Sequence, residues 1–429
     1  MATSRVKAFY RLPLAERRAW LAAELGLEEA ELARLLDLGG LDAERADQIV
    51  ENVVGTYALP FCLGLNFQVD GRDRLVPMVV EEPSVVAAAS NAAKMVRAGG
   101  GFVSEAGAGL MIGQIELRGV PSEEEAERCI RQDEARLLRV AENAVPGLIR
   151  RGGGPRRLEV RRIGPGHMVV HLLLDPGYAM GANLVNSAAE ALAPELARVT
   201  GARIGLRILS NLADQRLMTV RCEVPGTALS VGLDMDPSAL LDDIEAASIF
   251  AERDPYRAAT HNKGIMNGID SVVIACGNDF RSVEAGAHAY AARSGTYSPL
   301  STWRRRGDAL LGQLTLPLAL GTVGGTLRTH RAAQLALRLA EVEGPTDLST
   351  VVASAGLASN LAALRALSSE GIQRGHMALH ARSVAVAAGA QADEVEVVAA
   401  RMAELGQVDV GAGASVLAGL REKKSKSTP

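Results

Sequence analysis

One run of alternating periods constrains this chain more than any other feature. It lies between the triple glycine Gly99-Gly100-Gly101 and Val224. Residues 110–117 read as a strand and 123–140 as a charged helix. Gly152-Gly153-Gly154 breaks the chain. Segments 158–163 and 168–174 then make a strand pair around Gly164-Pro165-Gly166. A helix over 183–199 follows, with strands over 203–209 and 217–224. A β-α-β-β-α-β order of this kind closes one small antiparallel sheet with helices on one face.

The flanks read differently. Residues 14–52 carry apolar side chains at helical spacing, punctuated by Gly26 and Gly39-Gly40. Strand-like segments at 65–69 and 75–80 meet at the turn signal Asp70-Gly71, and a small-residue helix covers 84–98. From Pro237 helix dominates: 238–251, 257–276 and 282–293, then strand-like 312–318, then helices near 330–342, 346–369 and 372–388. Two short helices are expected over 391–423. The fold class is therefore α+β. A large, mainly helical domain (1–109 and 216–371) carries an inserted ferredoxin-like small domain (110–215) and a helical C-terminal flap (372–429).

Composition narrows the setting. The 429 residues are 48% hydrophobic and 22% charged, with net charge −4, so the chain can bury a large core and is no dedicated nucleic-acid binder. Aromatics are only 3%, which favours close helix packing on small residues over a β-sandwich. The four cysteines, Cys62, Cys129, Cys222 and Cys276, have no short-range pairing, so neither a zinc site nor a CxxC redox motif is indicated. Their scarcity fits a reducing, cytoplasmic compartment. No signal core and no run of about eighteen apolar residues is found, so no membrane span is expected. The basic tail from Arg421 to Lys426 reads as a solvated end.

The chemistry gathers around Thr260-His261-Asn262-Lys263-Gly264-Ile265-Met266-Asn267-Gly268-Ile269-Asp270 and Gly277-Asn278-Asp279. Lys263 sits among residues that usually line cores. It is either a lysine snorkelling off a helix or a cation held for a carboxylate or substrate. Glu81-Glu82-Pro83-Ser84 precedes a small-residue helix. Helix capping alone would explain it, and a Glu aimed into a cleft as proton donor is the functional reading. His376 and His380 share a helix face, which suits a proton shuttle better than a metal, since no acidic third ligand accompanies them. Tyr178-Ala179-Met180-Gly181-Ala182-Asn183 opens a helix with residues small enough for a phosphate or ribose to approach. Gly107-Ala108-Gly109 through Gly113 mimics a dinucleotide fingerprint but enters a strand instead of leaving one, so no Rossmann domain is supported.

Several windows together resemble one family. Glu51-Asn52-Val53-Val54-Gly55, Glu81 to Ser84, Ala179 to Asn183, Asp254 to Gly264, Gly277-Asn278-Asp279 and Gly375-His376-Met377 occur in the order found in class II (bacterial-type) 3-hydroxy-3-methylglutaryl-coenzyme A (HMG-CoA) reductases. The similarity runs over about residues 10–420. The resemblance implies a large domain for HMG-CoA, a small non-Rossmann domain for a nicotinamide dinucleotide, and a mobile flap. It also implies a homodimer, or an assembly of dimers, with active sites at the interface. The reaction would interconvert HMG-CoA with mevalonate and coenzyme A through two hydride transfers.

Carried over residue by residue, Glu82, Lys263, Asp279 and His376 match the family's catalytic set. Lys263 would stabilise the oxyanion, Asp279 would orient it, Glu82 would transfer a proton at the mevaldehyde stage, and His376 would protonate the departing thiolate. Ser84, Arg257, Thr260 and Asn267 match positions that hold the HMG group, and Arg11 one that meets a coenzyme A phosphate. Tyr178, Met180, Gly181 and Asn183 match the cofactor side.

Two departures fall in the small domain. Tyr178 stands where many relatives carry an aspartate, and Pro155-Arg156-Arg157-Leu158-Glu159 replaces a Cys-Arg-Asp-Ile-Glu pattern. Val145 to Leu148, followed by Arg150-Arg151, occupies the region where NAD-dependent relatives carry an acid. Acids favour a free ribose 2′-hydroxyl and arginines a 2′-phosphate. The whole-chain likeness tips towards NADH and the local chemistry towards NADPH; the cofactor is read as either, with the lean to NADH. Two other classes stay open: a non-redox coenzyme A ester hydrolase or transferase on the same scaffold, and a silent assembly protein.

Overall fold

A computed structural model describes residues 3–369, 372–391 and 393–426, with the side chains of residues 38, 326, 372–379 and 423–426 outside the description. The chain begins with α1 (Leu14–Leu25), α2 (Glu29–Leu36) and α3 (Ala43–Asp47), then β1 (Phe61–Val69), β2 (Arg72–Val79), α4 (Val85–Arg97) and β3 (Phe102–Ala106). The small unit follows: β4 (Met111–Arg118), α5 (Glu123–Gln132), α6 (Glu134–Asn143), α7 (Pro146–Ile149), β5 (Gly154–Gly164), β6 (His167–Asp175), α8 (Ala182–Thr200) and β7 (Arg203–Ser210). The chain returns through β8 (Leu217–Pro225), α9 (Gly226–Leu229), α10 (Pro237–Arg253), α11 (Pro255–Ala275), α12 (Phe280–Ala291), β9 (Ser301–Arg306) and β10 (Ala309–Pro317). It ends with α13 (Arg331–Leu339), α14 (Pro345–Leu367), α15 (Ile372–Ala387), α16 (Val395–Leu405) and α17 (Val410–Lys426).

Two sheets result. The larger has the order β2-β1-β3-β8-β10-β9, and the smaller β5-β6-β4-β7. The smaller is antiparallel throughout and carries the ferredoxin-like order, with the helices on one face. Gly113 of β4 lets α8 lie close: a Cβ there would sit 2.9 Å from the Val185 side chain. That packing, and not a cofactor, accounts for the glycine. The helix expected over 123–140 is two helices, because the chain breaks at Asp133, whose carboxylate pairs with Arg136.

Two strands of the larger sheet escape the sequence reading. In β3 only Phe102 is fully buried, and Val103 faces outward at 61% exposure, so no apolar run marks it. β9 has three consecutive arginines, which pair with Glu252, Asp242 and Glu223. Its anchor is Trp303, whose ring lies over Gly312 so closely that a Cβ there would be 2.3 Å away. An arginine-rich edge strand of this kind also resists pairing with another sheet.

The core runs along α11 and α14. Gly268 of α11 abuts the Ala355 carbonyl, and Gly356 of α14 abuts Ile269. α14, expected as a helix over 346–369, is long and apolar enough to cross a membrane by length and composition. Here it is a buried core helix. Arg216 is buried where the two sheet units meet and donates to the Met180 carbonyl at 3.1 Å and the Leu320 carbonyl at 2.5 Å. The C-terminal helices form a separate small core around Val384, Val398, Met402 and Leu417. Arg421 belongs to it, bonded to Glu394 at 2.8 Å, so the basic tail is anchored at its start.

Candidate active site

Local signals fix α11 at both ends. Asp254 caps its start by accepting the Tyr256 and Arg257 N–H groups, and Pro255 occupies the first turn. At the far end Gly277 takes φ 62°, its N–H bonds the Ile274 carbonyl, and the Asn278 N–H bonds Val273. That is a Schellman stop, which needs glycine at this position. Asp279 then caps α12 through the Arg281 and Ser282 N–H groups. Between these ends, Lys263, Asn267 and Asp270 fall on one face of α11.

Glu82 lies in the turn between β2 and α4. Lys263 Nζ donates to Glu82 Oε2 at 2.9 Å. The two side chains are 64% and 37% exposed in the single chain, so Lys263 is ion-paired without being desolvated. Capping does not account for the acids: the first turn of α4 holds none, and its cap residue Ser84 makes no side-chain capping bond. Ser84 adopts φ 82°, a left-handed conformation costly for a non-glycine residue, and its Oγ is buried without a partner among the described residues. A strained hydroxyl with no partner among the described residues suits a ligand-binding turn.

The other expected residues are placed less directly. Asp279 is engaged by Arg281 Nε at 3.2 Å as well as by the helix N–H groups, and Lys263 is held by Glu82 instead. Arg257 is half-buried, and burial pulls its guanidinium below its usual range with no described carboxylate to offset this. An anionic ligand would relieve that. Thr260 is exposed, with its hydroxyl turned towards the Tyr256 carbonyl, and Asn267 is half-buried. Arg11 lies over the Tyr10 ring. The backbone at His376 belongs to α15, but its side chain lies outside the described residues.

A cavity of about 1850 Å³ opens beside Glu82 and Ser84. Lys7, Arg17, Arg18 and Lys94 also line it, and Tyr10 contributes a ring. In the small unit, α8 begins after Gly181, which takes φ 108° and packs against Pro176. Tyr178 and Asn183 are exposed there, and Met180 is half-buried. The Asn278 side chain bonds the Gly321 N–H and carbonyl, and Gly321 abuts the Met180 backbone. Gly321 and Arg216 were not singled out in the sequence, and Asn278 was quoted only within Gly277-Asn278-Asp279, with no role of its own. Only Asn278 carried a local signal, its place beside Asp279.

A family-wide profile described as hydroxymethylglutaryl-coenzyme A reductase matches residues 13–381. The chain belongs to the hydroxymethylglutaryl-coenzyme A reductase family. The reductase of Archaeoglobus fulgidus is 43% identical over 424 residues, covering 98% of this chain and 95% of that protein. The probable reductase of Borreliella burgdorferi is 35% identical over 337 residues, covering 78% and 77%. A reductase structure from Streptococcus pneumoniae superposes with TM-score 0.82 at 40% identity, over 96% of this chain and 99% of that one. A class II structure from the same organism, bound to NADPH in open conformations, matches with TM-score 0.81 at 40% identity, over 85% and 99%. The chain is thus a class II HMG-CoA reductase by family, an oxidoreductase working with a nicotinamide cofactor, and the non-redox alternative is not favoured.

Proposed function

We propose that Lys263 and Glu82 form the reacting centre, with Asp279 and His376 completing it. The observation that carries this reading is the 2.9 Å Lys263–Glu82 contact, with Glu82 lining a cavity that Ser84 also lines, its hydroxyl without a partner among the described residues. Overall, HMG-CoA plus two reduced nicotinamides and two protons gives mevalonate, coenzyme A and two oxidised nicotinamides. The cofactor supplies the two hydrides. Lys263 stabilises the negative charge that each addition places on oxygen. Glu82, already hydrogen-bonded to Lys263, delivers the proton to the carbonyl oxygen of the aldehyde stage. His376 protonates the departing thiolate. Asp279, once released from Arg281, orients Lys263. The same groups serve the reverse direction.

For the substrate, Ser84, Arg257, Thr260 and Asn267 hold the HMG end, with Arg257 suited to its carboxylate. The basic wall of Arg17, Arg18 and Lys94 suits coenzyme A phosphates, and Arg11 adds to it from beside Tyr10. The large unit, 1–109 and 216–371, binds HMG-CoA; 110–215 binds the dinucleotide; 372–429 is the flap, which admits each fresh cofactor.

The cofactor is assigned to the start of α8, where Tyr178 and Asn183 are exposed beside Gly181, itself buried against Pro176. Arg150 and Arg151 fold over Gly147, and α7 reaches the same loop through Leu148 and Gly177. No described carboxylate neutralises either arginine. These observations support NADPH over the NADH that the whole-chain likeness favours. Val54, Tyr57 and Tyr256 are almost fully exposed, which supports a homodimer covering them. The unpaired cysteines support a cytoplasmic setting.

The test is direct: mix the protein with HMG-CoA and NADH or NADPH and follow nicotinamide absorbance. Oxidation with matching thiol release supports the reading. Coenzyme A release without oxidation sinks it in favour of the hydrolase.

A further inference from the structure

Two turns beyond Lys263 on the same face of α11, Asp270 meets Glu284 of α12. The Asp270 Oδ1 atom is fully buried and has no donor among the described residues. Two ionised carboxylates can only accept, so a direct hydrogen bond between them needs a proton on one. Glu284 is already committed, because His288 Nε2 lies 2.5 Å from its carboxylate. The proton therefore belongs on Asp270.

The chain of contacts continues and returns to α11. His288 Nδ1 lies 2.6 Å from the Tyr297 hydroxyl, and Tyr297 lies beside the Asn262 side chain. Asn262 donates to the Ser298 carbonyl at 3.0 Å and accepts the Leu300 N–H at 2.9 Å. α12 and the segment after it are thus stitched to α11 at Asn262 and at Asp270. These two points bracket Lys263 and Asn267. Both ring nitrogens of His288 are taken, so the cluster has no ligand set to offer a metal.

We propose that Asp270 and Glu284 share one proton that fixes α12 against α11, making them positioning residues for the alignment of Asp279 with Lys263. The proposal rests on the catalytic reading of those two residues. α12 begins at its cap Asp279, so a rigid helix carries any shift at Glu284 to that carboxylate. Burial, with Glu284 second, pushes the Asp270 carboxyl up to about 8. The groups facing the pair are Glu284, His288 and, beyond them, Tyr297. Among the described charged side chains on the other elements packed against α11, several are held by other partners. Glu252 of α10 binds Arg304, Arg74 of β2 binds Asp347 of α14, Arg97 of α4 binds Asp73, and Arg338 of α13 binds the Leu25 carbonyl.

The experiment compares kcat against pH for the full-length wild type, Asp270→Asn and Glu284→Ala, with infrared detection of a protonated carboxyl. Wild type is expected to lose rate as pH rises through about 8 and to show the carboxyl band at neutral pH. Asp270→Asn, whose amide donates at every pH, should keep the neutral rate, lose the band and carry its alkaline limb upward by about one pH unit or more. Glu284→Ala should lower kcat about tenfold or more with the HMG-CoA KM little changed. An Asp270→Asn limb that coincides with wild type, or a wild type without the band, overturns the shared proton. If Glu284→Ala fails to fold, the Asp270→Asn comparison still decides. Asp279→Asn is the separate check on the reading beneath: full activity there removes Asp279 from catalysis, and with it the positioning claim.

Discussion

Asn278 holds Gly321 at both of its backbone groups, donating to the carbonyl at 3.1 Å and accepting the N–H at 2.8 Å. Gly321 in turn lies so near the loop before α8 that a Cβ would come 2.4 Å from the Met180 nitrogen. Thr322 donates to the Tyr178 carbonyl at 2.9 Å alongside. The neighbour of Asp279 is thereby tied to the expected cofactor loop through three short links. Asn278→Ala leaves both Gly321 groups without that partner, a cost of about 1–3 kcal/mol. The expected outcome is a raised nicotinamide KM and a reduced kcat, with HMG-CoA KM spared. Steady-state kinetics varying each substrate in turn would detect it, and an unchanged nicotinamide KM would count against the link.

Lys263→Ala should abolish hydride transfer while leaving the fold intact. The side chain is 64% exposed, so its removal opens no core cavity. Its electrostatic role, by contrast, has no substitute at the site. A rate kept within about tenfold, roughly 1.4 kcal/mol, refutes the role given to it. Circular dichroism and thermal unfolding of the variant separate chemistry from stability.

These two sites differ in how far the sequence could reveal them. Helix stops and starts are local events, so Asp254-Pro255 and Gly277-Asn278-Asp279 could be read as boundaries of functional helices. The Glu82–Lys263 contact joins two segments far apart in the chain: the family resemblance put both residues in one site, but it expected Asp279, not Glu82, to hold the lysine. By contrast, nothing near Gly321 announces that it faces Met180. Asp279 was expected to face Lys263, but its nearest cation in sequence, Arg281, holds it in this conformation. β3 and β9 were missed for a related reason. An edge or half-exposed strand is defined by the strands beside it, and its own side chains carry little apolar period.

Arg150 and Arg151 give the cofactor reading its own test. Replacing both by alanine should raise the NADPH KM by about tenfold or more, the scale of lost charge-assisted hydrogen bonds, and leave the NADH KM nearly unchanged. Equal effects on both cofactors would show that the pair merely supports α7. No effect on either would remove it from the site.

His261 sets an acid limit on stability. It faces away from the reacting centre, with Nε2 2.6 Å from Ser301 Oγ, which donates to Asn360. Its Nδ1 is buried without a partner among the described residues, and Trp303 Nε1 closes the same network on Asn360 at 2.7 Å. Burial, with Arg257 next, lowers the imidazole from 6.5 to about 4. A base held neutral in the fold but free to protonate when unfolded makes the unfolded state the better proton binder between those values. Stability therefore rises with pH across that window and is lost as pH falls through it. The contribution is at most about 3 kcal/mol, from the size of the shift. Urea unfolding between pH 4 and 7 should show this slope in wild type and a shallower one in His261→Gln. Parallel slopes would mean that the acid sensitivity comes from other groups.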